Sequence, residues 1–221
     1  MYVVVAGGVL DIEWGKWFLS RPDVCVVIAA DGGADRAVLV GRIPDVLIGD
    51  LDSVAAETLA LCESKGVRVE RFPAEKNETD TELALDWAHA RAGDDEVILV
   101  GAGGGRVDHW LGNVGLLVKF AELGRVVRMV DERSQAWVAG PGRQDLTAFR
   151  GHTFSVLPLS EEVEASAAGV KYGLNHLTLY RKQPRGVSNV VETAGAPWLE
   201  IHRGLALLVA LDNEQQWMKW G

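Results

Sequence analysis

Cysteine is scarce in this chain, with two residues, Cys25 and Cys62, among 221. They do not form a C-x-x-C pair, and no histidine lies near either one at the spacing of a zinc site. The pattern therefore argues against a structural zinc site. It predicts that both cysteines are reduced residues that serve packing.

Long apolar runs and basic clusters are also missing. No stretch reaches the roughly 18 consecutive apolar residues of a membrane span, and the apolar run at 2–6 is too short for a signal-peptide core. The net charge is −9, and no cluster of Lys and Arg offsets the repulsion from phosphate backbones. We therefore expect a cytoplasmic protein with no nucleic-acid and no membrane partner. Any bound phosphate needs a metal ion or a local positive site.

The common phosphate-binding patterns are absent as well. Residues 101–113, GAGGGRVDHWLGN, resemble a phosphate-cradling loop but contain neither GxxxxGK[ST] nor G-x-G-x-x-G. Arg106 presents paired donors that suit two phosphate oxygens. The spacing of Asp108, His109 and Asn113 places some of them on one helical face. A lone histidine is more often a structural hydrogen-bonding residue than a catalyst, and His109 on its own is interpreted in that way.

The first 131 residues have the pattern of a parallel α/β domain, because short β-branched runs alternate with longer segments of helical period. Length and a 48% hydrophobic content allow one large domain or two small ones. The predicted strands are 2–6, 24–29, 46–48, 67–71, 96–100 and 126–131, and the predicted helices are 13–20, 34–40, 55–65, 79–91 and 106–123.

After Asp131 the runs become short and are separated by Gly, Pro or polar turns, which predicts a C-terminal antiparallel β-sandwich. We place the domain boundary near Glu132, giving domains 1–132 and 133–221. Residues 140–142 are interpreted as a turn. The closing segment with two tryptophans, 214–221, could pack on the body of the protein or on a second subunit, and we favour the body. The predicted strands here are 136–139, 153–157, 163–167, 177–180, 189–192, 198–202 and 205–211.

Aspartates follow two predicted strands and begin a helix: Asp31 in DGGAD, Asp50 and Asp52 in GDLDS, and Asp80 in TD. The carboxyl ends of parallel strands meet at one edge, so these acids can hold the same divalent cation. Asp50 and Asp52 stand two apart in a segment predicted to be extended, and their side chains should point the same way. In DGGAD, Gly32 lies at the turn between the predicted strand 24–29 and the next helix, and lets a ligand approach the N-terminus of that helix.

Each acid also has a purely structural explanation. Asp31 could be the N-cap of the next helix, Asp50 could cap a turn, and Asp52 could cap the helix that follows. Thr79 could cap its helix, with Glu82 completing a capping box. If the acids only cap helices, Asp50→Asn changes stability but not the affinity for Mg²⁺.

In order along the chain, DGGAD, GDLDS, KNETDTELAL, GGRVDHWLGN, GVKYGL and GVSNVV resemble the thiamine pyrophosphokinase family. The resemblance implies an N-terminal α/β catalytic domain that binds ATP and Mg²⁺, and a C-terminal β-sandwich that binds thiamine. It also implies a homodimer with active sites at the subunit interface. The implied reaction transfers a diphosphoryl group from MgATP to thiamine.

The same resemblance assigns residue roles, although spacing alone makes Ser188 and Asn189 turn formers. The metal and phosphate ligands are then Asp31, Asp50, Asp52 and Asp80. The nucleotide is bound by Asp31, Gly32, Lys76, Thr79, Arg106, His109 and Asn113, and thiamine by Ser188 and Asn189. For the implied reaction the predicted catalytic residues are Asp80, Arg106 and Asp108. Either Asp80 or Asp108 could take the hydroxyl proton, and the sequence does not choose between them.

Two other functions fit the same residues. A diphosphokinase acting on another hydroxymethyl heterocycle, such as a pterin, needs the same metal and ATP site. A non-catalytic protein could bind a nucleotide or thiamine, although a pure binder has little need for so many carboxylates beside a polyphosphate.

Overall fold

The computed structural model describes residues 1–104 and 106–212, and its internal contacts divide the chain into two units. The first unit is Met1–Glu132, and the second begins at Arg133. The predicted tail at 214–221 lies outside the described residues, as does Gly105 of the glycine-rich loop.

The first unit contains a six-stranded sheet in the order β6-β5-β1-β2-β3-β4. Every neighbouring pair in it is parallel. The strands are rich in β-branched residues, and most of the residues in every strand except the edge strand β4 are buried, as expected of a parallel sheet covered on both faces. They are β1 Tyr2–Val5, β2 Val26–Ala30, β3 Val46–Gly49, β4 Arg68–Arg71, β5 Val97–Val100 and β6 Val127–Val130.

Five helices cover this sheet and complete the three-layer α/β domain predicted from the sequence. Trp14 and Phe18 of the first helix share one apolar cluster with Val3 and Val5, whereas the fourth helix packs across β1, β2, β3 and β5. The helices are α1 Ile12–Leu19, α2 Gly33–Leu39, α3 Ala56–Ser64, α4 Asp80–His89 and α5 Val107–Glu122. Each lies within two residues of its predicted bounds.

The second unit contains two antiparallel sheets that share one core, which confirms the predicted β-sandwich. Their strand orders are β12-β9-β14-β7 and β11-β10-β13-β8. Trp137 and Phe154 from one sheet lie in the same buried cluster as Leu179 and Ile201 from the other. The elements are β7 Ser134–Ala139, β8 Gly142–Asp145, a 3-10 helix at Thr147–Phe149, β9 Thr153–Pro158, β10 Glu162–Ala168, β11 Leu174–Tyr180, β12 Asn189–Val190, β13 Trp198–Arg203 and β14 Ala206–Leu211.

One strand of the sandwich was not predicted. Residues 140–142 were interpreted as a turn, but β8 begins at Gly142 and pairs with β13, placing Arg143 opposite Glu200. The strand is polar and largely exposed because it lies at the edge of its sheet, so it lacks the apolar alternation by which strands are recognised.

Within the part of the chain that the structure describes, none of the helices combines the length and apolar character needed to cross a membrane.

Candidate active site

A cavity of about 690 Å³ opens at the carboxyl ends of β1, β2 and β5. From β1 the sheet continues through β2, β3 and β4 on one side, and from the neighbouring β5 it continues to β6 on the other side. Ligands of open α/β sheets bind where the strand order reverses in this way. The predicted site residues that line the cavity are Asp31, Gly32, Thr79, Asp80, Arg106, His109 and Asn113.

Three of the four predicted metal ligands converge at this edge. Asp31, Asp50 and Asp52 each offer one carboxylate oxygen, and these oxygens all lie within 4.8 Å of one another. Asp31 has a left-handed backbone (φ 46°), and its Oδ1 accepts a hydrogen bond from the Ser53 backbone N–H at 3.4 Å. The structure thus brings together acids that are 21 positions apart in sequence, Asp31 and Asp52.

The backbone conformation that brings Asp50 and Asp52 together differs from the prediction. Asp50 and Asp52 were expected to lie in an extended segment, but β3 ends at Gly49 and Leu51 is left-handed, with φ 67°. A tight turn results, in which Asp50 Oδ1 accepts from the Asp52 N–H at 3.3 Å. The Leu51 side chain is 8% exposed and packs into the core beside Ala29 and Leu47.

The capping alternatives are only partly correct. Asp50 does cap a turn, but the N-cap of α2 is Gly32 rather than Asp31, and the N-cap of α3 is Ala55 rather than Asp52. The N–H of Ala55 is bound by the carboxylate of Asp35, at 3.2 Å. Asp31 and Asp52 are therefore not explained as caps of these helices.

The donor set of this cluster suits Mg²⁺. All three groups are carboxylates, the hard oxygen ligands that Mg²⁺ prefers, and it commonly takes only a few of them and leaves other positions to water and phosphate. Oxygens around an octahedral Mg²⁺ lie about 3 to 4 Å apart. The observed oxygens, all within 4.8 Å of one another, are therefore close to that spacing.

Asp80, the fourth predicted ligand, lies beside this cluster but is paired differently. Its Oδ1 is 3.1 Å from Lys76 Nζ, which also lies 3.3 Å from Asp50 Oδ2. A Cβ added to Gly49 would lie 3.0 Å from Asp80 Oδ1 and 3.1 Å from the Asp31 Cβ, so only glycine leaves room for both acids. Asp80 is thus adjacent to Asp31 and compensated by Lys76.

Burial and pairing set the charges of these groups. Burial raises the pKa of Asp80, and pairing with Lys76 offsets only part of that effect. The N–H of Asp52, aided by Lys76, lowers the pKa of Asp50. Burial alone would lower the pKa of Lys76, but the two carboxylates outweigh it and the pKa is raised. Lys76 is therefore a permanent cation at neutral pH.

Thr79 is the N-cap of α4, with its hydroxyl accepting from the Glu82 N–H at 3.1 Å. The Glu82 carboxylate accepts from Lys119 of α5 at 3.0 Å. The cap fixes the first turn of α4, where Asp80 lies. Thr79 therefore has a structural role and also lines the cavity.

Glycine turns bring backbone close to the cavity at three strand ends. A Cβ on Gly8 would lie 2.1 Å from the Gly103 carbonyl oxygen, and one on Gly33 would lie 1.9 Å from that of Val5. Gly8 also donates to the carbonyl of Gly101 at 2.8 Å. Side chains cannot enter these positions, so backbone groups form the floor of the cavity.

The segment around the start of α5 carries the other predicted nucleotide ligands. Arg106 and Asp108 form an exposed ion pair at 2.6 Å, and the guanidinium lowers the pKa of Asp108 to about 2. His109 is exposed at the cavity wall. Asn113 is buried, and its amide donates to the Ala102 carbonyl at 3.0 Å, which holds the glycine-rich loop.

The predicted thiamine residues lie in the second unit. Ser188 is left-handed with φ 61°, and its N–H donates to Ser155 Oγ at 3.0 Å. The Asn189 amide accepts from the Tyr172 N–H at 2.9 Å and donates to its carbonyl at 2.8 Å. Asn189 therefore joins two segments that are 17 residues apart, as the turn interpretation favours, while the Tyr172 side chain remains 60% exposed.

Several residues that line the cavity were not singled out from the sequence: Gly7, Gly8, Asp35, Arg36 and Ser53. The Gly7-Gly8 pair directly after the first strand was the available signal, because it repeats the strand-then-glycine arrangement of DGGAD. Arg36 reaches the Gly7 carbonyl from α2, at 3.4 Å, and no spacing rule connects the two.

Comparison with known proteins supports one family. The family model described as thiamin pyrophosphokinase, catalytic domain, matches residues 22–129. A thiamine pyrophosphokinase of Bacillus subtilis is 34% identical over 156 residues, covering 69% of this chain and 72% of that protein. The chain belongs to the thiamine pyrophosphokinase family.

Other thiamine pyrophosphokinases extend the similarity over most of the chain. Thiamine pyrophosphokinase 1 of Oryza sativa subsp. japonica is 24% identical over 200 residues, covering 80% of this chain and 74% of that protein. The crystal structure of the Bacillus subtilis thiamine pyrophosphokinase superposes with a TM-score of 0.84 at 24% identity, covering 96% of this chain and 100% of that one. That of Geobacillus thermodenitrificans gives 0.82 at 31% identity, covering 97% and 99%.

Proposed function

We propose that this chain is a thiamine diphosphokinase, which transfers a diphosphoryl group from MgATP to the hydroxyl of thiamine and releases AMP. The observation that carries the proposal is the convergence of Asp31, Asp50 and Asp52 beside a cavity floored by glycine backbone. Carboxylates for a divalent ion and helix N-termini for phosphate oxygens are what MgATP needs. Membership of the family supplies the substrate, thiamine.

In this proposal Asp31, Asp50 and Asp52 hold Mg²⁺, which when bound neutralises phosphate charge in the manner of metal-dependent phosphoryl transfer. Gly32 and Thr79 lie at the N-termini of α2 and α4 on the cavity wall. The nucleotide phosphates bind at these termini. His109 and Asn113 form the α5 side of the same wall.

The hydroxyl oxygen of thiamine attacks the β-phosphorus, and the bond from that phosphorus to the oxygen bridging it to the α-phosphate breaks as AMP leaves. We assign Asp80 as the acceptor of the hydroxyl proton because it lines the cavity. Asp108 is a poor acceptor, since its pKa is about 2. Asp108 instead orients Arg106, because it accepts hydrogen bonds from Nε and Nη2 of the guanidinium. The remaining N–H donors of Arg106 are then assigned to stabilise charge on the transferred group.

We assign the nucleotide to residues 1–132, and thiamine binding and dimer formation to residues 133–221. Ser188 and Asn189 are the proposed thiamine-binding residues. Because the Asn189 amide is bonded to Tyr172, its contribution is to fix this segment rather than to bind the ligand through those atoms. The active form in this proposal is a homodimer with sites at the subunit interface, located in the cytoplasm, where ATP is available.

The test is product analysis with the purified chain, MgATP and thiamine. We expect AMP and thiamine diphosphate in equal amounts. Asp52→Asn should lower the rate by about 100-fold or more, as expected when a group that stabilises the transition state is removed. The control is Asp23→Asn, which breaks only an exposed ion pair with Arg21 outside the cavity and should keep the wild-type rate.

The other outcomes separate the alternatives. Formation of ADP with thiamine monophosphate would identify a simple kinase. Turnover with a hydroxymethyl pterin but not with thiamine would identify a different diphosphokinase. Tight thiamine binding by calorimetry without any turnover would support a non-catalytic binding protein.

A further inference from the structure

Lys76 occupies a position between two acids of the site. Its Nζ lies 3.3 Å from Asp50 Oδ2, 3.1 Å from Asp80 Oδ1 and 3.2 Å from the Pro73 carbonyl oxygen. An ammonium group has three N–H donors. Two of these contacts are hydrogen bonds, to Asp50 and to the Pro73 carbonyl, and the contact with Asp80 Oδ1 is an ion pair. The Lys76 side chain is only 11% exposed, and Asp80 Oδ1 is fully buried. The ammonium is thus a fixed part of the site.

The four acids fall into two groups around this ammonium. Asp31, Asp50 and Asp52 form the cluster with metal-ligand spacing, and Asp80 is outside it. Asp50 belongs to both groups, because it contributes one oxygen to the cluster and approaches Lys76 with Oδ2. A cation that bridged Asp50 and Asp80 would have to take the place of Lys76 Nζ.

Enzymes that transfer phosphoryl groups often place two divalent ions about 3.5 to 4 Å apart, and shared carboxylates bridge them. In this chain the position between Asp50 and Asp80 is filled by the Lys76 ammonium. We infer that Lys76 replaces a second divalent ion, so that the chain itself holds one ion at Asp31, Asp50 and Asp52. That this ion is Mg²⁺ rests on the proposed function, whereas the number of ions per chain does not.

The experiment counts ions on the full-length chain without nucleotide, using Mn²⁺ as the probe, by calorimetry and by the electron paramagnetic resonance of free Mn²⁺. We expect one Mn²⁺ per wild-type chain. Lys76→Gln uncovers Asp80 and should bind two. Combining Lys76→Gln with Asp80→Asn should return the count to one.

The matched control is Lys119→Gln. Lys119 also bridges two carboxylates, Glu82 at 3.0 Å and Asp86 at 2.8 Å, but away from the aspartate cluster. The Lys119→Gln variant should bind one Mn²⁺, as the wild type does. If Lys76→Gln is unstable without metal, it can be purified with Mn²⁺ present and its bound metal measured after gel filtration. Lys76→Arg, which keeps the charge, should bind one.

A wild-type count of two or none, or a count unchanged by Lys76→Gln, would overturn the inference. A gain of the second ion in Lys119→Gln as well would also overturn it, because the effect would then follow from any lost cation. One ion per chain without thiamine diphosphate formation would overturn the proposed function alone. Turnover by a wild-type chain that binds two ions would overturn this inference alone.

Discussion

At the scale of single residues, the site depends on backbone positions that a side chain cannot occupy freely. Gly49 is the clearest case, because it lies between Asp80 and Asp31 and has φ 148°. Positive φ values are costly for residues other than glycine. The same residue thus ends β3 and provides the space in which two acids approach each other.

Gly49→Ala should lower the free energy of unfolding by about 1 to 3 kcal/mol, through both backbone strain and the close contact with Asp80. It should also weaken Mn²⁺ binding. Gly41→Ala isolates the backbone effect, since Gly41 has φ 82° with nothing within 4 Å of an added Cβ. Urea denaturation and Mn²⁺ titration of both variants check this, and equal Mn²⁺ affinities would contradict it.

At the scale of elements, the first turn of α4 combines stability with function. The Thr79 hydroxyl satisfies the N–H of Glu82, and Asp80 is the first residue of the helix. An N-cap side chain contributes about 1 kcal/mol to a helix. The orientation of Asp80 therefore depends on a bond made by its neighbour.

Thr79→Ala should cost about 1 kcal/mol of stability and reduce turnover, whereas Thr79→Ser keeps the accepting oxygen and should keep most of both. Denaturation curves and steady-state rates of the two variants measure these effects. A Thr79→Ser rate as low as that of Thr79→Ala would show that the methyl group, not the cap, is what matters.

The elements of the first unit could be predicted because short continuous β-branched runs indicate buried strands, whereas apolar residues at helical spacing indicate amphipathic helices. Polar β8 has no such period, and its pairing with β13 is set by a partner more than 50 residues away. The convergence of Asp31, Asp50 and Asp52 followed from the rule for parallel strand ends. The left-handed backbone of Leu51 could not be predicted, because nothing in the sequence GDLDS indicates that conformation for a leucine. The bonds from Asn189 to Tyr172 likewise depend on tertiary structure.

At the scale of the whole molecule, the chain contains two units with separate cores and different architectures. The cavity, the aspartate cluster and Lys76 all belong to the first unit, and Ser188 and Asn189 belong to the second. In the proposed function this separates nucleotide binding from thiamine binding. Each ligand should then stabilise mainly the unit that it contacts.

Hydrogen exchange followed by mass spectrometry tests this division. A non-hydrolysable ATP analogue with Mg²⁺ should slow exchange at residues 6–8, 30–32, 35–36, 79–81 and 101–104, which line the cavity. Thiamine should slow exchange mainly at 170–173 and 186–191. Protection by the nucleotide only beyond residue 133 would contradict the assignment.

The buried Leu51 has a kinetic consequence. Its side chain anchors the turn between Asp50 and Asp52 in the core, so the ligand oxygens are held together before an ion arrives. A prearranged site loses little conformational entropy on binding. The rate of ion uptake should then be limited by the slow removal of water from Mg²⁺ itself, rather than by movement of the protein.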